Sequence, residues 1–149
     1  MTAIHHITVP AGFVSAGVKC GVKASGKHDL AIIAGLADCS AAVVTTQNQV
    51  VGEPVKYCRK TLPKGYGTVR GVVINSGCAN VCTGVQGCKD AAEMASRTAL
   101  RLGVDAKHIL VASTGIIGHP LPMNNIRHGI DRAAATLGGA AGDSQELSK

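Results

Sequence analysis

The chain has 149 residues, 46% of them apolar and 16% charged, with a net charge of +6 at pH 7. That length fits one globular domain able to bury roughly 68–70% of its unfolded surface. The cations are scattered rather than blocked and aromatics make up only 2% of residues, so neither a charged track nor a stacking platform for nucleic acid is expected.

In chain order, residues 1–6 carry neither Lys nor Arg, and Pro10 and Gly12 interrupt any apolar stretch. No signal peptide is expected there, and His5 and His6 read as ordinary N-terminal residues. Val14, Ala16, Val18, Cys20 and Val22 then alternate with small or polar residues, the period of a half-buried strand. Residues 30–34 form a shorter apolar run, and residues 41–46, rich in Val and Thr, suggest a third strand. Asp38-Cys39-Ser40 supplies a turn between those two, so a β-meander is expected. Residues 52–67 mix Pro54, Pro63, Gly65 and Gly67 with charges and read as loop with one helical turn.

Residues 69–75 give the clearest strand. After Gly84 the period changes: Cys88, Ala91, Ala95, Ala99 and Leu102 share one helical stripe, while Lys89, Glu93, Arg97 and Arg101 face away from it. Gly103 closes that helix. A strand over 107–112 follows, then a helix whose start Pro120 and Pro122 bracket. Its buried face is Met123, Ile126, Ile130, Ala133 and Leu137, and Gly138-Gly139 stops it. Two helices and about five strands predict an α+β fold, helices layered on a mixed sheet, with one sheet face or edge short of cover. A folded domain over 1–137 and a connector over 138–149 are expected.

With one Phe, two Tyr and no Trp, the core must be aliphatic. Residues 71–88 carry no formal charge, but Asn75, Ser76, Asn80, Thr83 and Gln86 argue against a membrane span. Of six cysteines, Cys20, Cys39 and Cys58 stand alone. Cys78, Cys82 and Cys88 cluster without a Cys-x-x-Cys pair, so no metal is expected. Free thiols in a reducing cytoplasm fit better.

Two segments place small and polar residues where a strand meets a helix. One is Asn75-Ser76-Gly77-Cys78-Ala79-Asn80-Val81-Cys82-Thr83-Gly84; the other is Ser113-Thr114-Gly115-Ile116-Ile117-Gly118. In the second, the Thr114 hydroxyl and the unshielded Gly115 N–H are candidate donors for a developing oxyanion. Ser, Thr and Gly are equally what a plain strand-to-helix turn takes. In the first, Asn75 and Asn80 are candidate amide donors, and a helix cap at Thr83 is the simpler alternative. The loop has neither P-loop nor dinucleotide spacing. Cys82 near a helix start and His119 after Gly118 are the remaining reactive candidates, without a partner in sequence.

Gly21-Val22-Lys23 with Lys27-His28-Asp29-Leu30-Ala31-Ile32-Ile33, and Thr46-Gln47-Asn48-Gln49-Val50 before Pro54-Val55, resemble the opening of the ornithine acetyltransferase family. These are the bifunctional glutamate N-acetyltransferases of arginine biosynthesis. The segment 75–84 resembles that family's Asn-rich signature, with Val81 where Ala is usual. Residues 113–118 with Leu121-Pro122-Met123 resemble its oxyanion-hole segment.

The resemblance implies a chain that cleaves itself and exposes an N-terminal Thr as nucleophile, with its own α-amine as base. Acetyl passes from N-acetylornithine, or from acetyl-CoA in bifunctional members, to glutamate. Thr114 and Gly115 would form the oxyanion hole. No metal or prosthetic group is implied, acetyl-CoA being at most a co-substrate, and the bacterial enzymes are cytoplasmic assemblies of α and β chains. The sequence stops at Lys149, before the family's substrate-binding Thr and Lys and its Thr nucleophile. The expectation is therefore an N-terminal α-type portion, incomplete without the C-terminal half. The alternative is an inactive paralogue that binds a metabolite or a partner chain.

Overall fold

The computed structural model describes residues 7–138. The expected connector lies outside them except for Gly138, as do His5 and His6. Four strands, β1 (Phe13–Val18), β2 (Leu30–Ala42), β3 (Tyr66–Cys78) and β4 (Ile109–Ile116), form one sheet in the order β1-β2-β3-β4. The first two pairings are antiparallel and the last is parallel. Helix α1 (Glu53–Thr61) falls between β2 and β3, α2 (Gly84–Leu102) makes the crossover from β3 to β4, and α3 (Met123–Thr136) closes the described chain. The result is the α+β fold with a mixed sheet that the sequence predicts.

Several elements differ from expectation, each for a local reason. The first strand ends at Val18 because residues 20–23 turn their backbone N–H groups onto the Asp29 carboxylate. The separate strand over 41–46 does not exist. Instead β2 runs on to Ala42, its register shifting between Ala34 and Cys39, so Asp38-Cys39-Ser40 lies within an irregular strand rather than a turn. Residues 53–61 are a nine-residue helix, not a loop. Pro54 sits in its first turn, where a missing N–H costs nothing, and Glu53 faces the positive end of the helix dipole. The expected meander through residues 41–46 is therefore not formed; β2 pairs antiparallel with β1 and, after the intervening α1, with β3.

Helices α2 and α3 pack on one sheet face. Ala16, Val18, Leu30, Ile32, Val73, Ile109 and Val111 from the sheet meet Met94, Ala95, Ala99, Ile126, Ile130 and Ala133 from the helices. The core is aliphatic as required, and Phe13 and Tyr66 are exposed. Gly103 terminates α2 in a left-handed conformation, its N–H donating to the Ala99 carbonyl. The charged stripe on α2 is not simply solvated: Arg97 and Arg101 reach Asp131 on α3, and Glu93 receives Arg127. Long side chains on neighbouring helices span that gap readily. Helix α1 lies beyond the free edge of β4, where the Cys58 thiol donates to the Val111 carbonyl at 3.2 Å. The opposite sheet face, with Ile33, Val72, Ile74 and Leu110, is only half-buried.

Candidate functional site

Strands β3 and β4 extend further than their apolar runs suggest, and both motif segments begin inside them. Asn75, Ser76, Gly77 and Cys78 pair with Ser113, Thr114, Gly115 and Ile116. The strand-to-helix turns come later, at residues 79–83 and 117–122. Thr114 and Gly115 therefore occupy the C-terminal end of a parallel edge strand, and both are exposed. The Thr114 hydroxyl has no hydrogen-bond partner among the described residues.

The direction of the Gly115 amide follows from the strand's alternation. The Val111 carbonyl points outward to Cys58, and the Ile116 carbonyl points inward to the Ala79 N–H at 3.0 Å. With backbone groups alternating along a strand, the Gly115 N–H is directed away from β3. Gly115 has φ +131°, and a Cβ there would lie 2.3 Å from the Gly77 carbonyl carbon. Only glycine fits such an approach. Gly118 N–H then donates to the Val81 carbonyl at 2.9 Å, tying the turn after β4 to the turn after β3.

The two asparagines do not join this site. Asn75 and Asn80 are fully buried. Asn75 donates to the Cys78 carbonyl at 2.8 Å, shaping the end of β3. Asn80 donates to the Gly87 carbonyl and accepts from the Thr83 hydroxyl at 2.6 Å. Thr83 is the residue at the α2 N-cap, yet its hydroxyl is held by Asn80 rather than by the helix backbone. Both amides build the scaffold instead of facing a ligand.

Reactive side chains are equally tied down. Cys78 is buried and donates to the His119 carbonyl at 3.1 Å; the His119 residue itself is exposed. Burial, helped by the neighbouring Asp29 carboxylate, pushes the Cys20 thiol up to about 12. Cys88 donates to the Glu53 carboxylate at 2.8 Å, which also holds its proton on. Cys82 is exposed and its thiol makes no hydrogen bond among the described residues. The described residues contain no group of three His, Cys, Asp or Glu side chains placed to hold a metal ion. No described helix is long and apolar enough to cross a membrane.

Two acids missed in the sequence organise the surroundings. Asp29, 2% exposed, accepts the backbone N–H groups of Cys20, Gly21, Val22 and Lys23 at 2.6–3.0 Å. Burial alone would raise its carboxyl, but these bonds outweigh that and hold it below the usual range. The anchored loop lies against Gly77, where an added Cβ would come within 3.1 Å of Val22 and Lys23 side chains. Asp29 thus props the strand end beside Gly115. The signal was its position behind Gly21-Val22-Lys23. Glu53, 3% exposed, accepts Lys56 Nζ within α1 and joins α1 to α2 by accepting Cys88 Sγ, each at 2.8 Å.

The sequence profile of the ArgJ family matches residues 14–147. The arginine biosynthesis bifunctional protein ArgJ of Symbiobacterium thermophilum is 47% identical over 133 residues, covering 88% of this chain and 33% of its own length. The mitochondrial ArgJ of Penicillium rubens is also 47% identical, over 134 residues, covering 87% of this chain and 27% of its own. The chain thus spans about a third of the length of these curated relatives. Ornithine acetyltransferase from Mycobacterium tuberculosis, solved in complex with ornithine, superposes with a TM-score of 0.88 at 38% identity, covering 95% of this chain and 75% of that one. The ArgJ crystal structure from Bacillus halodurans gives 0.81 at 34% identity, covering 87% and 69%. With its profile matched over nearly the whole length, and its sheet and helices reproduced in solved members, the chain belongs to the ArgJ family.

Proposed function

We propose that this chain contributes the oxyanion hole to an acetyltransferase of arginine biosynthesis, with the Thr114 hydroxyl and the Gly115 N–H as donors. The reaction is acetyl transfer from N-acetylornithine, or from acetyl-CoA, to glutamate. The observation that carries the reading is the outward Gly115 N–H beside the exposed Thr114 at the end of an edge strand. A carbonyl oxygen seated there would gain negative charge as its carbon becomes tetrahedral, and fixed donors stabilise that charge without reorganising.

The nucleophile in this reading is a threonine hydroxyl on a C-terminal part of the protein, freed by self-cleavage. Its α-amine takes the hydroxyl proton as oxygen bonds to the acetyl carbon. Collapse of the tetrahedral species breaks the C–N bond, and the same proton leaves with the ornithine amine. Glutamate's amine then attacks the acyl-threonine in the reverse sense. The half-buried sheet face of Ile33, Val72, Ile74 and Leu110 is where that second part would pack, making a hetero-assembly of two chain types. No metal or prosthetic group enters the scheme. The resemblance to bacterial members points to the cytoplasm, and the mitochondrial relatives make an organelle the competing compartment.

The test is complementation. This chain is co-produced with the remaining two-thirds of the Symbiobacterium thermophilum relative, and acetyl transfer from N-acetylornithine to glutamate is assayed. The assembly should turn over while this chain alone does not. Thr114→Ala should slow transfer on the order of 10²–10³-fold, the usual loss for one oxyanion donor. Turnover by the chain alone, a silent assembly, or a wild-type rate for the variant would each overturn the reading. A silent assembly would favour a paralogue that only binds.

A further inference from the structure

Away from the β4 site, a cavity of about 500 Å³ opens between α1 and the first turns of α2. It shares no residue with Thr114 and Gly115 and stands independently of the function proposed above. Lys56 and Lys60 from α1 and Lys107 from the turn before β4 line it, together with Tyr57, Cys88 and the buried Glu53. We infer that this cavity binds a phosphate-bearing small molecule with a planar or apolar body, of the nucleoside-phosphate class.

Charge makes the first half of the case. Three lysines line the cavity with one carboxylate, Glu53, and both Glu53 oxygens are already occupied, one by Lys56 Nζ and the other by Cys88 Sγ. The Cys88 thiol keeps its proton and presents a neutral wall. Lys60 pairs with no acid among the described residues. Lys107 meets Asp105 at 3.2 Å, but both side chains are about 70% exposed, and such surface pairs yield readily to a better anion. A multiply charged oxyanion is the ligand this excess suits.

Shape makes the second half. The volume falls in the range of small-molecule sites and far exceeds what a single phosphate fills. The Tyr57 hydroxyl donates to the Ala106 carbonyl at 2.9 Å, which fixes its ring as one wall. Ala92 and the lysine stems add apolar surface. Glu53 locks the two helices together at the floor, so the cavity is already formed rather than made by closure.

The experiment is a titration of the isotopically labelled chain, followed by amide NMR at low salt, with ADP, adenosine and inorganic pyrophosphate as separate probes. ADP should give saturable shifts confined to residues 53–61, 88–92 and 106–108, with tighter binding than either adenosine or pyrophosphate. The double variant Lys60→Ala, Lys107→Ala touches only exposed side chains. It should keep the wild-type spectrum elsewhere and bind ADP at least tenfold more weakly. Absence of saturable shifts with ADP, binding no tighter than pyrophosphate, or unchanged affinity in the double variant would each overturn the assignment.

Discussion

One carboxylate organises four amides at the mouth of the proposed oxyanion site. Asp29 leaves the start of β2 with its side chain turned back, so residues 20–23 wrap around it instead of continuing β1. A carboxylate only accepts, and all four contacts are donors, so charge and geometry agree. Asparagine has nearly the same shape, but one of its two ends would be an NH₂ facing N–H groups. We expect Asp29→Asn to cost roughly 2–4 kcal/mol, since buried donors would be left unmatched, measured as the shift in urea unfolding. An unchanged midpoint would show that the loop holds itself. The same logic explains why Gly115 is legible as glycine only in three dimensions: its constraint is the Gly77 backbone, 38 residues earlier and invisible to local spacing.

At the level of elements, α2 and α3 are joined by charge as well as by apolar contact. Asp131 receives Arg97 and Arg101, and those hydrogen bonds, Arg97 first, hold its carboxyl well below the usual range. A depressed folded value means stability that is present above the unfolded value of about 3.9 and is lost as pH falls toward the folded one. The groups are partly exposed, which screens the interaction. Asp131→Asn should therefore cost about 1 kcal/mol at pH 7, and the difference from wild type should shrink steadily below about pH 4. Urea titrations at pH 7 and pH 3 read this directly; a constant difference would remove the ion pairs from the account.

The apolar stripes of these two helices were legible because a 3.6-residue period survives tertiary context, except that Cys88, expected on the α2 stripe, is exposed and turns to Glu53 on α1. Helix α1 was not. Nine residues bearing Pro54 look like loop until Pro54 is read as a first-turn residue beside an acidic Glu53. The far half of β2 was hidden too, because an irregularity breaks the alternation there and Asp38-Cys39-Ser40 mimics a turn. The sites divide in the same way. Motif and strand context place Thr114 and Gly115 at a strand end, where the structure finds them exposed, while the inward turn of Asn75 and Asn80 depends on carbonyls that only folding brings near.

For the molecule as a whole, the decisive feature is a sheet that the described residues cover on one side. Helices α2 and α3 take one face and α1 takes the β4 edge, leaving Ile33, Val72 and Leu110 around a shallow cavity of about 130 Å³ on the other. Parallel pairs such as β3 with β4 are ordinarily covered on both faces, so the open side asks for a second layer. This chain spans about a third of the length of its curated relatives, and in the function proposed above the remaining part would form that layer. Val72 separates packing within the chain from packing between parts, because its neighbour Val73 points into the core while Val72 is half-exposed opposite. Val72→Lys should leave the unfolding of this chain within about 0.5 kcal/mol of wild type. In the complementation assembly, the same change should prevent co-purification with the remaining two-thirds and abolish acetyl transfer. Intact co-purification at wild-type activity would mean that the second part packs elsewhere, and that the Thr nucleophile approaches Thr114 and Gly115 from another side.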